Sequence, residues 1–242
     1  MDSKSISLSE EMVLRCTHWI KMLLMLFLIA CIMLCGHSKK ETIEKEFGKN
    51  ISLICSNHTW SELVMQKWTI WKLGIGNCDI AVHYNGTITS NCTNNPVYIN
   101  STNPHLSISN FGSNYVGKYS CDSNYNGGTD TVDYYLWGIV YINHTFGKDV
   151  SLNCTQQRSG ENINEMQQHI KYNEECLAVG INQPLNSTCR KKEGITTEIK
   201  DEQIYIHINN FQLNDTGNYT CESSYNEEKY KIVFILTGKC NN

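Results

Sequence analysis

Tyr115–Cys121 (YVGKYSC) and Asp215–Cys221 (DTGNYTC) are two versions of one short motif that occurs twice in the chain. Matching segments precede them, GKNISLIC at Gly48–Cys55 and GKDVSLNC at Gly147–Cys154. The first and last cysteines are separated by 66 residues in the first copy and by 67 in the second. Each copy also has two inner cysteines at similar spacings, which are Cys78 and Cys92, and Cys176 and Cys189. Four matched cysteines indicate an internal repeat of one structural unit.

Both copies consist of short segments in which every second residue is apolar, as in β-strands that bury one side. Ile51, Leu53 and Cys55 follow this pattern in the first copy, and Val150 and Leu152 follow it in the second. Polar turn segments such as NGG at residues 126–128 separate the runs, and helical periodicity is lacking after the N-terminal region. Many short strands joined by polar turns favour a β-sandwich or a β-barrel.

Aromatic residues at fixed distances from the cysteines distinguish between these architectures. Tyr119 and Tyr219 each lie two residues before the last cysteine of their copy, and Trp68 lies thirteen residues after Cys55. This arrangement is typical of immunoglobulin sandwiches, and the long spacing between the outer cysteines favours their variable type. We therefore predict an all-β chain of two tandem immunoglobulin-like, variable-type β-sandwiches after an N-terminal signal segment. The predicted boundaries are 1–36 for the signal, 37–138 for domain 1 and 139–242 for domain 2.

The repeat also predicts the disulfide pairing. Cys55–Cys121 and Cys154–Cys221 are expected to join the two sheets of each sandwich, each closing a loop worth roughly 4 kcal/mol in the chain-entropy model. The inner pairs, Cys78–Cys92 and Cys176–Cys189, then follow by elimination. Cys240 has no equivalent in the repeat. It is expected to join two chains in a disulfide dimer, to be capped by a small thiol, or to lie near a truncation point.

The two copies differ at two positions that matter for the core. The second copy lacks a counterpart of Trp68, and Ile170 or Met166 is expected to fill that space. Tyr115 in the first copy stands where the second has Asp215. Such an aspartate usually pairs with an arginine or with backbone groups, so the first copy must close this edge differently.

Several features predict an oxidising, extracellular location. The chain has twelve cysteines without a CxxC pair, and the apolar run Met22–Cys35 follows Lys21. This run has the length of a signal peptide core and is shorter than the roughly 20 residues of a spanning helix. A retained signal anchor is the alternative. Glycosylation is predicted at eight Asn-x-Ser/Thr sites, while Asn91 and Asn153, with cysteine in the middle, are expected to be used poorly. The eight are Asn50, Asn57, Asn85, Asn100, Asn143, Asn186, Asn214 and Asn218.

Other classes of function find no support in the sequence. The net charge is −4 and no basic stripe occurs, which argues against a nucleic-acid partner. The sequence contains no GxSxG, P-loop or GxGxxG motif, and its eight histidines form no metal spacing such as HExxH. We therefore expect neither an enzyme nor a bound cofactor or metal.

The segment Trp68-Thr-Ile-Trp71-Lys-Leu-Gly74, with Cys78 and Asn91-Cys92-Thr93, resembles the first domain of the CD-two-hundred receptor family. These are receptors for the OX-two membrane glycoprotein. The resemblance spans Cys55 to Cys121, whereas the second copy departs from the shorter, constant-like domain of the family. It implies a receptor-like glycoprotein on the external side of the plasma membrane, or a secreted form. Its implied partner is another immunoglobulin-superfamily membrane glycoprotein, with a role in immune regulation. The alternative is a soluble decoy or adhesion protein that acts by capture or self-association.

In that family, the ligand meets the face formed by strands G, F, C and C′ of the first domain. The corresponding ligand-contact candidates here are Trp71, Lys72, Asn124, Tyr125, Asn126, Asp130 and Tyr134. Tyrosine and tryptophan are favoured anchors because they bury a large area at low entropic cost. The alternative is that Tyr134, Tyr135 and Trp137 only cover the sandwich or the domain junction.

Overall fold

The computed structural model describes residues 19–26, 38–59, 61–72, 76–92, 97–99, 105–154, 167–181, 192–200, 203–225 and 228–240. The chain divides into two compact units, Met1–His37 and Ser38–Asn242. In the first unit, residues 19–26 form a helix whose apolar side chains are exposed. Among the described residues, no helix has the length and apolar character needed to cross a membrane. The signal segment at residues 1–36 stays a prediction.

The second unit is built almost entirely from strands. The first copy supplies β1 (Lys39–Glu46), β2 (Ile51–Ile54), β3 (Leu63–Lys72), β4 (Gly76–His83), β5 (Ile88–Ser90), β6 (Val97–Ile99), β7 (His105–Ile108), β8 (Gly117–Tyr125) and β9 (Gly128–Thr145). The second supplies β10 (Val150–Asn153), β11 (Gln167–Tyr172), β12 (Glu175–Ile181), β13 (Ile195–Lys200), β14 (Gln203–Ile208), β15 (Gly217–Tyr225) and β16 (Glu228–Lys239). Short 3-10 turns, Ser113–Tyr115 and Leu213–Asp215, precede β8 and β15.

One large sheet runs through both copies, and each copy adds a small sheet. The large sheet has the order β12-β11-β15-β16-β9-β8-β3-β4-β5, with β1 paired to β9. The small sheets are β2-β7-β6 and β10-β14-β13. Alternate residues such as Leu53 and Leu106 from the small sheet and Trp68 and Tyr119 from the large sheet are buried together in the core. The chain is therefore all-β with an immunoglobulin-like fold, as the sequence predicts.

β9 belongs to both copies. Its residues Gly128–Leu136 pair antiparallel with β8, and Gly138–Thr145 pair parallel with β16. β1 runs parallel to the segment Val132–Ile139 of the same strand. The predicted boundary between residues 138 and 139 thus falls inside a continuous strand, where pairing passes from β8 to β16. That boundary stays a prediction.

Three of the four predicted disulfides join described residues. The Cα atoms are 5.6 Å apart in Cys55–Cys121, 5.0 Å in Cys78–Cys92 and 5.5 Å in Cys154–Cys221. Cys55 and Cys154 directly follow β2 and β10 of the small sheets. Each outer bridge therefore ties a small sheet to the large sheet, at β8 in the first copy and at β15 in the second. Cys176 is disulfide-bonded, and Cys189, its predicted partner, lies outside the described residues.

The tyrosine of each Tyr-x-Cys motif fixes the turn that precedes its strand. The Tyr119 hydroxyl donates to the carbonyl oxygen of Tyr115 at 2.8 Å, and the Tyr219 hydroxyl donates to that of Asp215 at 2.7 Å. Gly117 has a φ of 152°, and a β-carbon there would lie 2.4 Å from the carbonyl oxygen of Trp71. Glycine is required at this corner because the neighbouring strand leaves no room for a side chain.

The differences between the copies are accommodated as expected. Ile170, only 2% exposed, lies opposite Cys221 as Trp68 lies opposite Cys121. Met166, the other candidate, lies outside the described residues. Asp215 accepts a hydrogen bond from the backbone N–H of Gln212 at 2.9 Å and pairs with Lys192 at 3.2 Å. In the first copy, the buried ring of Tyr115 occupies the equivalent position.

Candidate functional site

The side of the large sheet that faces away from the core forms a polar surface in the first copy. Residues such as Trp68 on β3 and Tyr119 on β8 are buried, so the residues between them point outward. We call this surface the front face. It consists of Lys67, Thr69 and Trp71 on β3, Asp79 on β4, Lys118, Ser120, Asp122 and Asn124 on β8, and Thr131, Asp133 and Tyr135 on β9.

Carboxylates of the front face are held by hydroxyl groups and lysines on neighbouring strands. Asp133 accepts a hydrogen bond from Ser120 at 2.6 Å and lies 3.7 Å from the ammonium of Lys118. That ammonium is also 4.7 Å from the centre of the Trp71 ring, within cation–π range. Trp71 and Lys118 thus form one unit at the end of the sheet near the corner.

The same arrangement recurs across the middle of the face. Asp79 accepts a hydrogen bond from Thr69 at 2.8 Å and lies 3.3 Å from Lys67. Asp122 accepts one from Thr131 at 2.7 Å. Each of these carboxylates is therefore oriented by a hydrogen bond from a neighbouring strand.

At the other end of β8, the turn between β8 and β9 meets the segment after β2. The rings of Tyr125 and His58 are 4.1 Å apart, and the Tyr125 hydroxyl donates to Asp130 at 3.4 Å. His58 also lies 3.7 Å from Asp130 and 3.5 Å from Glu62. The charge of Asp130 raises the pKa of Tyr125, and a hydrogen bond from the backbone of Thr59 lowers the pKa of Glu62.

The predicted contact residues fall into two groups. Trp71 pairs with Lys118, whereas Asn124 lies further along β8, opposite Met65 and roughly 20 Å from the Trp71 end. Asn124 joins Tyr125 and Asp130 at the turn, where its side-chain oxygen accepts a hydrogen bond from Thr129 at 2.6 Å. Asn126 is exposed in the turn itself, and the side chain of Lys72 lies outside the described part.

The prediction that Tyr134 contacts a ligand is wrong. Its side chain is 5% exposed, its ring stacks on Trp68 at 6.3 Å, and its hydroxyl donates to the carbonyl of Ile54 at 2.5 Å. Tyr134 shares the inward side of β9 with Val132 and Leu136, and burial raises its pKa. The alternative interpretation, that this tyrosine covers the sandwich, is the correct one.

Sequence reasoning missed His58, Lys118, Asp122 and Asp133. No spacing in the sequence links His58 to residues 125–130. The outward residues of β8 carried a usable signal, because they alternate with Tyr119 and Cys121 in the motif itself.

None of the predicted glycosylation sites is a front-face residue. The described asparagines of the eight predicted sites are all exposed, whereas Asn100 and Asn186 lie outside the described residues; the described ones are Asn50, Asn57, Asn85, Asn143, Asn214 and Asn218. The sequence has no Asn-x-Ser/Thr triplet starting at residues 58–84 or 101–142. These stretches contain β3, β8 and the part of β9 that pairs with β8.

A groove of about 350 Å³ lies on the outward side of the second copy. Its walls include Trp137, His169, Lys171, Glu222, Lys229 and Lys231. Lys171 pairs with Glu222 at 2.9 Å, while Lys231 lies 3.5 Å from Glu44 and 4.5 Å from the Trp137 ring centre. Two of its three lysines are therefore already neutralised. Within the described ranges, no group of three His, Cys, Asp or Glu residues is placed to hold a metal ion.

The strand order and the three disulfides between described residues define an all-β, immunoglobulin-like fold. No protein-family model matches the sequence, and no curated protein matches it. The extracellular portion of mouse CD200RLa is similar in structure, with 16% identity and a TM-score of 0.41 over 81% of this chain and 98% of that one. An I-band fragment of titin has 16% identity and a TM-score of 0.30, covering 84% of this chain and 64% of the fragment. A chimeric titin Z1Z2 tandem has 11% identity and a TM-score of 0.33, covering 82% and 95%. The fold assignment rests on the strand order and the disulfides of this chain.

Proposed function

We propose that this chain is an extracellular recognition protein, displayed on the cell surface or secreted, that binds another protein through the front face and is not an enzyme. The observation that carries the proposal is that the front face is a preorganised polar surface and that none of its residues starts an Asn-x-Ser/Thr triplet. Asp79, Asp122 and Asp133 are oriented by neighbouring hydroxyl groups. No Asn-x-Ser/Thr triplet starts in β4, in β8 or in the part of β9 that pairs with β8.

The partner we propose is another immunoglobulin-superfamily membrane glycoprotein with a complementary charge pattern. The front face combines carboxylates with Lys67 and Lys118, so a matching partner presents both signs of charge. Such complementarity raises the association rate and excludes wrong partners more than it raises affinity. Trp71, with Lys118 over its ring, supplies the aromatic anchor that interfaces favour. The resemblance of the first copy to the CD-two-hundred receptor family supports this choice and a role in regulating immune cells.

A screen of glycosylated, multimerised protein against immunoglobulin-superfamily ectodomains tests the proposal. We expect one ectodomain to bind, and Lys118→Glu or Trp71→Ala to weaken its binding at least tenfold, about 1.4 kcal/mol. Lys148→Glu makes the same charge change at an exposed position outside the front face and should leave affinity unchanged. Thermal melting checks that all three variants are folded. The proposal is contradicted if no ectodomain binds. It is also contradicted if an ectodomain binds the wild-type protein and both front-face variants with the same affinity.

Capture or self-association is the second candidate function, and Cys240 favours it. This cysteine is exposed and is the free cysteine of the described residues, directly after β16. Native mass measurement of secreted protein under non-reducing conditions should then show a dimer that Cys240→Ser abolishes. A monomer in both forms excludes a disulfide dimer and leaves recognition by the front face.

A further inference from the structure

The outward side of the second copy has an apolar strip. Val233 lies opposite Ile139 and Ile235 lies opposite Tyr141 where β16 pairs with β9. These four residues alternate with inward neighbours such as Phe234, so they project away from the core. We call them the outer strip. Tyr141 is 60% exposed, although apolar groups of this size are costly to leave in water.

Two glycosylation sites lie beside the outer strip on the same side of the sheet. Asn218 on β15 is directly opposite Ile235, and Asn143 on β9 is opposite Thr237 and two residues beyond Tyr141. Both asparagines are exposed. Adjacent strands are about 4.8 Å apart and alternate residues about 7 Å apart, so both side chains begin next to the strip.

We propose that the N-glycans of Asn143 and Asn218 fold back over the outer strip and cover it. The face of a sugar ring presents C–H groups, which are attracted to the negative face of an aromatic ring such as Tyr141. The hydroxyl groups of the same sugar remain in water, so the glycan replaces an apolar surface with a polar one. An uncovered apolar strip on a sheet would otherwise promote association between chains.

The distribution of surface types along the large sheet supports this role. The front face is polar, and no Asn-x-Ser/Thr triplet starts in β3, in β4, in β8 or in the part of β9 that pairs with β8, whereas the outer strip is apolar and has two predicted sites at its border. The proposal rests on the extracellular location within the proposed function. It adds that the outward surface of the first copy, the front face, is left open for a protein partner, while the apolar part of the outward surface of the second copy, the outer strip, is covered.

Hydroxyl-radical labelling of protein secreted from mammalian cells tests the proposal at Tyr141. Glycopeptide mapping first establishes that Asn143 and Asn218 are modified. Tyr141 should then be labelled slowly in the wild-type protein and several times faster in Asn143→Gln and Asn218→Gln. The triplet is removed by replacing Asn218 rather than Thr220, because Thr220 is only 2% exposed and its replacement would disturb the packing.

Asn50→Gln is the matched control, because Asn50 is an exposed site of the first copy that does not border the outer strip. Ile199, exposed on β13 of the small sheet, serves as an internal reference in every sample. Enzymatic removal of glycans from the folded wild-type protein gives a second measurement that needs no substitution, and it should also expose Tyr141.

Equal labelling of Tyr141 before and after glycan removal would overturn the proposal, as would finding both asparagines unmodified. Neither result depends on a binding partner. A failed ectodomain screen therefore counts against the proposed function alone, and an unprotected Tyr141 counts against the glycan cover alone.

Discussion

Tyr119 and Tyr219 each combine a fully buried ring with one hydrogen bond to a backbone carbonyl. Burial raises the pKa of both tyrosines, and neighbouring Tyr115 and Tyr172 add to the shifts. The folded protein therefore holds these phenols neutral at a pH where an exposed tyrosine, with a pKa of about 10, would ionise. Each of these two tyrosines therefore makes a contribution to the free energy of unfolding that is lost at alkaline pH.

We expect the free energy of unfolding to fall as pH rises above about 10. The tyrosine pKa is higher in the folded state than in the unfolded state, so unfolding releases protons there, and the contribution is intact below pH 10. Urea unfolding at pH 8, 10 and 11 measures this. Tyr119→Phe should cost about 1–3 kcal/mol at pH 8, because the Tyr115 carbonyl loses its donor, yet reduce the alkaline slope. An unchanged slope would show that the burial of Tyr119 is not responsible.

Gly117 offers a second residue-scale prediction, because its neighbouring strand excludes a side chain. Gly117→Ala should cost at least about 3 kcal/mol, since it adds strain at a φ of 152° to a clash with the Trp71 carbonyl. Gly112→Ala is the control, as Gly112 is extended and the nearest atom to its β-carbon is 4.0 Å away. Chemical denaturation compares the two variants. Similar costs would contradict the close approach at Gly117.

Among the elements, β9 is the one that joins the two copies. At the point where its pairing changes, the ring of Phe47 occupies the space beside Gly138, 2.3 Å from where a β-carbon would lie. The second copy repeats the contact, with the Phe146 ring 2.1 Å from the β-carbon position of Gly238. The two phenylalanines therefore need glycine on the strand that they cover.

We expect Gly138→Ala to destabilise the protein by about 1–3 kcal/mol through overpacking. Phe47→Ala removes the ring and has its own cost of about 3–5 kcal/mol, so the double variant should cost less than the sum of the two. A double-mutant cycle from urea unfolding gives the coupling energy. Strictly additive costs would mean that Phe47 and Gly138 do not share this space.

The sequence was sufficient to predict the strands of each copy, but it was insufficient to predict how the two copies are connected. Period-two alternation and the Tyr-x-Cys motif predict the strands, the corner and the outer disulfides, because these depend on nearby residues. Gly138 suggested a domain boundary, yet it is glycine because of the distant Phe47 ring. Tyr134 and Tyr135 are identical in type, and only the strand register sends the first inward and leaves the second outward.

The sheet that carries the candidate contact residues was predictable from the sequence, but the neighbours of those residues were not. The sheet that carries Trp71 and Asn124 follows from the motif spacings, whereas the approach of His58 to Tyr125 depends on the path of the segment after β2. Local sequence patterns carry little information about such contacts between distant loops. The front-face carboxylates could have been predicted from the sequence, since Asp122 directly follows a motif cysteine.

For the whole molecule, the disulfides should rank in stability by the loops they close. Loops of 14 residues for Cys78–Cys92 and 66 for Cys55–Cys121 give roughly 3 and 4 kcal/mol in the chain-entropy model. Removing the outer pair by alanine substitution should cost still more, because both of its cysteines are buried in the core. Urea unfolding of the two double variants tests the order. A larger loss from the inner pair would reverse it.

The unbroken backbone of β9 has a mechanical consequence. Tandem domains joined by a flexible linker can rotate relative to each other. Here the connection is itself a hydrogen-bonded strand, which pairs with β8 over Gly128–Leu136 and with β16 over Gly138–Thr145. Rotation about this connection would have to break ladder hydrogen bonds. The two copies are therefore joined by a stiff element rather than by a flexible linker, so the first copy keeps a set orientation relative to Lys239.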